Sequence, residues 1–228
     1  MPTPAHPLDR PAWSSLIAGW SRLAVRSGSA LRLSPEYGPF AATPETSPSD
    51  LEDLAGFDPG DDGLWLVEPD AIVPPGALAV ALSARCVQMT AAAISPGEAA
   101  FELVPLGEPD GPEMLALARL TRPGPFAART HALGGFVGVK QDGRLVAMAG
   151  ERMKPEGFCE VSGVCTHPDH RGRGYAAGLM RIVAGRILER GETLFLHSYE
   201  TNTGAIALYQ TLGFRLRRTV VLTILKRA

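Results

Sequence analysis

The stretch His167 to Met180, HPDHRGRGYAAGLM, holds three glycines and two arginines and runs without a break into an apolar helix pattern. Upstream lies FCEVSGVCT (158–166), a strand pattern. Downstream, Ala176, Leu179, Met180, Val183 and Ile187 recur at helical spacing over 175–190, and Gly191 supplies the stop. A strand, a short turn containing Gly172 and Gly174, and a helix opening at about Tyr175 make an anion site. Unpaired N–H groups point outward at a helix start, and the macrodipole favours negative charge there. The glycines let the backbone approach a ligand closely, while Arg171 and Arg173 add charge-assisted contacts, so phosphate is the natural guest. The stretch lacks G-x-x-x-x-G-K-[ST] and does not have the G-x-G-x-x-G spacing with an acidic partner one strand later. Nucleoside triphosphate and dinucleotide readings therefore fit poorly. The simpler alternative is a glycine-rich turn that caps a helix.

Working outward, residues 101–228 read as a regular series. FELVPL is a strand, PEMLALARL a helix, and GGFVGVKQDGRLVAMAGERM two strands joined at Asp142-Gly143, a hairpin turn signal. TLFLHSY is a further strand, NTGAIALYQTLGF a helix closing at Gly213, and 214–225 one or two last strands. The order β-α-(α)-β-β-β-α-β-α-β indicates a mixed α/β sheet. Residues 1–100 read differently. Of the 20 prolines, 16 fall at or before Pro112, which implies more turns and shorter elements there. Trp13, Trp20 and Trp65 all lie in that half, so it folds around a core of its own making and is no linker. Its elements are expected as helices near 11–25 and 48–55 and strands near 31–42, 64–67 and 86–90. The expected division is 1–100, an N-terminal α/β segment, and 101–228, the segment that carries the glycine-arginine turn.

A net charge of -2 leaves no basic footprint for nucleic acid. Cys86, Cys159 and Cys165 form no spaced framework; an odd count without a secretory signal indicates reduced thiols and a cytoplasmic setting. The first residues, MPTPAHPLDR, have neither a basic nor an apolar signal region, and the apolar stretch 71–84 is broken by Pro74 and Pro75. No membrane partner is expected.

Two motifs in order carry a resemblance. Arg171, Gly172, Arg173, Gly174, Tyr175 and Ala176 match [QR]-x-x-G-x-[GA], the acetyl-CoA loop of the GCN5-related N-acetyltransferase (GNAT) family. Asn202-x-x-Ala205-x-x-Leu208-Tyr209-x-x-x-Gly213-Phe214 resembles that family's last helix, with its asparagine near the cofactor and its tyrosine near the sulfur. The resemblance covers about residues 101–228. VCTHPDHRGRGYA is most similar to the FR47-like type grouped with glycine N-acyltransferase C-terminal domains. It implies the acyl-CoA N-acyltransferase fold, a mixed, mostly antiparallel central sheet flanked by helices, with residues 1–100 a degenerate copy of the same fold or a wall of the acceptor pocket. It further implies that the loop holds the pyrophosphate of acetyl-CoA as co-substrate. The strand Val164, Cys165 and Thr166 would offer backbone groups to the pantetheine arm, and Gly163 inside that strand pattern marks either the bulge that makes room for it or a plain packing glycine.

Acetyl transfer from a thioester to an amine needs a deprotonated amine, a stabilised oxyanion and a proton for the leaving thiolate. An amine with a pKa near about 10.4 is mostly protonated at neutral pH, so a base helps. Glu160 is the candidate, lying eleven residues before Arg171, a spacing some family members use; otherwise it is half of an ordinary ion pair. Tyr209 is the candidate acid, or else a core tyrosine with a satisfied hydroxyl, and the N–H of Val164 or Cys165 the oxyanion donor. The resemblance implies direct transfer in a ternary complex to a small-molecule or peptide amine, with a homodimer allowed and no metal required. The rival reading is a non-catalytic acyl-CoA sensor. Cys159, Cys165, His167 and His170 do not have zinc spacing, Cys165 is a less favoured acyl carrier, and His197 is a second base or a satisfied strand histidine. Arg215, Arg217 and Arg218 read as a solvated strand edge.

Overall fold

The computed structural model describes residues 6–97 and 100–228. In chain order these form α1 (Pro11–Ile17), β1 (Ala24–Ser27), β2 (Ala30–Leu33), β3 (Ala41–Ala42), α2 (Pro48–Glu52), β4 (Leu64–Glu68), β5 (Leu78–Ala91) and β6 (Val104–Leu106). There follow α3 (Gly111–Thr121), β7 (Phe136–Gln141), β8 (Arg144–Glu151), β9 (Phe158–Thr166), α4 (Tyr175–Glu189), β10 (Thr193–Tyr199), α5 (Thr203–Thr211) and β11 (Arg215–Arg227). Strands β1 to β3 make a small sheet, and the other eight form one sheet in the order β4-β11-β5-β10-β9-β8-β7-β6. Every pair in the large sheet is antiparallel except β9 with β10. That pair must be parallel because α4 carries the chain back across the sheet between them.

Local chemistry explains the regular half. Leu179, Met180, Val183, Ala184 and Ile187 of α4 have no exposed surface and pack on Val137, Val161 and Leu194 of the sheet. Burying each such large side chain contributes on the order of 2 kcal/mol. The β7–β8 hairpin turns at Asp142 and Gly143, both with positive φ (50° and 77°), the type that Asp-Gly favours.

The N-terminal half departs from expectation in three ways. First, the sheet does not respect a boundary at residue 100. β4 and β5 belong to it, and β5 lies between β10 and β11, paired with both. The described residues before β6 thus complete one sheet and add a three-stranded one; they do not build a second large sheet. Second, the strand expected at 86–90 runs from Leu78 to Ala91, because β11 pairs with it along its whole length. An alanine-rich segment has little strand signal of its own; its partner more than a hundred residues away supplies the ladder. Third, the helix expected to reach residue 25 stops at Ile17. Gly19 there passes so close to Lys154 that an added Cβ would lie 2.5 Å from the Lys154 Cβ, and Trp20 Nε1 donates to the Arg152 carbonyl at 3.0 Å. Docking onto the β8–β9 connection overrides helix propensity.

A fragment comprising residues 101–228 lacks the strand between β10 and β11 and exposes the edges of both. Expressed alone it should aggregate or lack cooperative unfolding. A monomeric fragment with a sharp thermal transition by circular dichroism would contradict that account.

Candidate active site

The site begins at an interruption in β9. Its ladder with β8 pairs Met148 with Cys165 and then Gly150 with Ser162, so Gly163 and Val164 together face the single residue Ala149. This is a bulge, and Gly163 takes φ +63° within it. On its other side β9 pairs with β10 only at Phe158, Cys159 and Glu160, opposite Thr193, Leu194 and Phe195. Past Glu160 the ladder with β10 stops, and Val164, Cys165 and Thr166 of β9 border a cleft.

Residues 164–166 and 171–176, together with Asn202 and Tyr209, line one cavity of about 610 Å3 in that cleft. Every residue expected to hold the cofactor thus lies on one wall or another of a single space. Gly172 and Gly174 take φ +75° and +77°, and nothing lies within 4 Å of where a Cβ would stand on either. The loop backbone is therefore bare toward solvent at the N-terminus of the fifteen-residue α4. Arg171 and Arg173 are exposed and, among the described residues, pair with no acid. A bare backbone, a helix N-terminus and two uncompensated guanidinium groups suit a diphosphate. Tyr175 contributes through its backbone, because its ring is buried edge-on against Phe101 with centroids 4.9 Å apart. Asn202 caps α5, its Oδ1 accepting from the Ala205 N–H at 3.4 Å, while its side chain also borders the cavity. Burial pushes the Tyr209 hydroxyl above its ordinary pKa, so it keeps its proton at neutral pH and can donate it. Sequence reasoning missed Thr121, Arg122, Pro123 and His170 as lining residues. Arg122 ends α3 in the left-handed conformation (φ 51°), and no residue pattern announces that.

Glu160 does not belong to this cavity. It is 1% exposed, and both of its oxygens are occupied. Arg152 grips it twice, Nε to Oε2 at 2.8 Å and Nη2 to Oε1 at 3.0 Å; His197 Nδ1 donates to Oε1 at 2.8 Å and the Met153 N–H to Oε2 at 3.3 Å. Burial alone would raise its pKa, but the Arg152 charge and these hydrogen bonds outweigh it and hold the carboxyl at about 2. So weak a base cannot usefully take a proton from an ammonium group. The ion-pair alternative for Glu160 is the one the geometry favours, and the pair is buried. Since a carboxylate only accepts, His197 carries its proton on Nδ1. Its Nε2 accepts from Gln88 Nε2 at 3.1 Å.

The chain of contacts continues. Gln88 Oε1 accepts from Arg217 Nη1 at 2.8 Å, and Arg217 and Arg218 both donate to Asp9 Oδ1, at 2.7 and 2.9 Å. Two consecutive strand residues reach one carboxylate because Arg217 is the extra residue of a bulge between Leu216 and Arg218. These arginines are thus anchors to the N-terminal segment, not the solvated edge expected. Cys159, Cys165, His167 and His170 do not converge, and no cluster suited to a metal ion occurs among the described residues. Burial pushes the Cys165 thiol up to about 11, which leaves it protonated and a poor acyl acceptor. Among the described residues no helix is long and apolar enough to cross a membrane.

Comparison with known proteins agrees with this geometry. A family profile described as FR47-like protein matches residues 136–222, the span from β7 into β11. A solved structure from Novosphingobium aromaticivorans, described as an acetyltransferase of the GNAT family, is 49% identical and superposes with a TM-score of 0.91, over 98% of this chain and 100% of that one. A GCN5-related N-acetyltransferase from Kribbella flavida shares the fold at 20% identity, TM-score 0.63, over 92% and 93% of the two chains. No curated protein matches. With the cleft, the loop and a full-length relative at that identity in agreement, the chain belongs to the GCN5-related N-acetyltransferase family.

Proposed function

We propose that the protein transfers an acetyl group from acetyl-CoA directly to a primary amine. The observation that carries this reading is the single cavity that joins the bare glycine loop, the β9 bulge and the Tyr209 hydroxyl. The loop backbone and Arg171 and Arg173 would hold the pyrophosphate, and residues 164–166 the pantetheine arm. When bound, acetyl-CoA supplies an activated thioester. Backbone N–H of Val164 or Cys165 at the bulge would meet the developing oxyanion, a contribution on the order of 3 kcal/mol when preorganised. Tyr209, kept protonated by burial, would donate to the departing sulfur. A sensor would have no use for that hydroxyl, which favours the enzyme.

The acceptor would enter from the other side. A second cavity, of about 1010 Å3, is lined by Glu36, Asp62 and Trp65 of the N-terminal segment and by Arg122, Phe126 and Tyr199. Arg122 borders both cavities. The N-terminal segment would thus form one wall of the amine site, open enough for a small molecule or a peptide end. With Glu160 sequestered, the amine would lose its proton to water in this cavity, and kcat/KM should climb with pH toward the acceptor's own pKa. A plateau with an inflection near pH 6 would instead require a protein base.

Calorimetric titration with acetyl-CoA, with ATP and NAD as controls, should show binding that Arg173→Glu and Gly174→Asp reduce by about tenfold or more; unchanged binding would remove the loop from the site. Tyr209→Phe should lower kcat about a hundredfold and leave the KM for acetyl-CoA nearly unchanged. Glu160→Gln strips a buried charge from Arg152 and should cost about 3–5 kcal/mol by urea denaturation. Because the folded pKa of Glu160 lies below the ordinary 4.5, its stabilisation is complete above pH 4.5 and lost as pH falls toward 2. The variant should lack that part of the wild-type acid limb.

A further inference from the structure

Between the two cavities lies a filled space. Pro123, Gly124, Pro125 and Phe126 cross over Ser162 and Gly163 of β9 and, with Phe136 and Arg152, leave no room for a water molecule among them. The packing is specific. Phe136 is 2% exposed and lies across two glycines of neighbouring strands: a Cβ on Gly150 would come within 2.4 Å of its ring, and one on Gly163 within 2.9 Å. Phe126 stands edge-on to Phe136, centroids 5.7 Å apart at 84°, and its ring would be 3.8 Å from the same Gly163 Cβ. The segment is pinned from behind. Thr130, buried, donates to the Tyr37 carbonyl at 2.8 Å and accepts from the Ala127 N–H at 2.7 Å.

The cavity that would hold the cofactor follows β9 from Thr166 to Val164 and ends there. The next residue back along the strand, Gly163, already belongs to the filled space. An acyl group that extends from Val164 back along the strand meets Phe126 and Phe136 over Gly163. We infer that Phe126, seated on Phe136 over Gly163, is a specificity-determining residue that restricts the acyl donor to short chains, acetyl and propionyl. The inference rests on the acyl-transfer reading above and adds the class of donor to it. Phe126 is the adjustable part, since it is half-buried whereas Phe136 is core. Replacing it with alanine opens the filled space toward the acceptor cavity, which Phe126 also lines.

The test is calorimetric titration of wild type, Phe126→Ala and Phe126→Leu with CoA, acetyl-CoA, butyryl-CoA and hexanoyl-CoA. Affinity ratios within one preparation do not depend on the folded fraction. Wild type should bind hexanoyl-CoA about tenfold or more weakly than acetyl-CoA, and Phe126→Ala should bring the two within about threefold, with Phe126→Leu between them. Equal wild-type affinity for all four ligands, or a ratio unmoved by either substitution, would overturn the role of Phe126 while leaving CoA binding intact. Failure of every one of the four to bind wild type would overturn the acyl-transfer reading and this inference with it.

Discussion

The ion pair of Arg152 with Glu160 sits where β9 and β10 stop pairing, and much of the molecule is arranged around it. Desolvating two charges is expensive, and the attraction between them repays the cost only if further hydrogen bonds satisfy both groups. Glu160 has them, accepting also from His197 and the Met153 N–H, while the Arg152 guanidinium lies 5.0 Å over the Phe40 ring. Trp20 bonds the Arg152 carbonyl, so the N-terminal segment touches the pair from two directions. An apolar substitute of the same volume could fill the space, but it would not dictate where β10 leaves β9. The pair supplies directional order at the one point where the sheet must open.

Charge placement follows the same logic. The chain is close to neutral, yet the loop at 171–174 is locally cationic, whereas several arginines elsewhere are compensated. Arg10 pairs with Glu68, Arg85 with Glu200, Arg190 with Glu151 and Glu192, and Arg217 and Arg218 with Asp9. Arg171 and Arg173 keep their full field for a ligand. Net charge is silent about this, since it sums over both kinds.

The N-terminal half helps to build the candidate site's surroundings in two senses. β5 is the strand on which β10 and β11 both lean, so the sheet that carries the cleft cannot close without it. Tyr37 and Trp65 come from the same half: the first anchors the segment bearing Phe126, and the second lines the larger cavity. The two cavities are thereby built by different regions of the chain, one by the β9–α4 junction with α5, and the larger one in part by elements of the first hundred residues.

What the residues alone made legible is what depends on near neighbours in the chain. The loop at Arg171–Ala176, the stripe of α4, the Asp142-Gly143 hairpin and the stop of the last helix at Gly213 each need only a few consecutive side chains and their φ preferences, and each stands where its pattern put it. The motifs likewise brought the expected cofactor residues to one cavity. Tertiary structure decided the rest. The insertion of β5, the burial of Glu160, the turning of Arg217 onto Asp9 and the seating of Phe126 on Phe136 all depend on partners outside their own stretch of chain. A carboxylate's role is set by the charges and solvent around it, and those are assigned only when distant strands pack together.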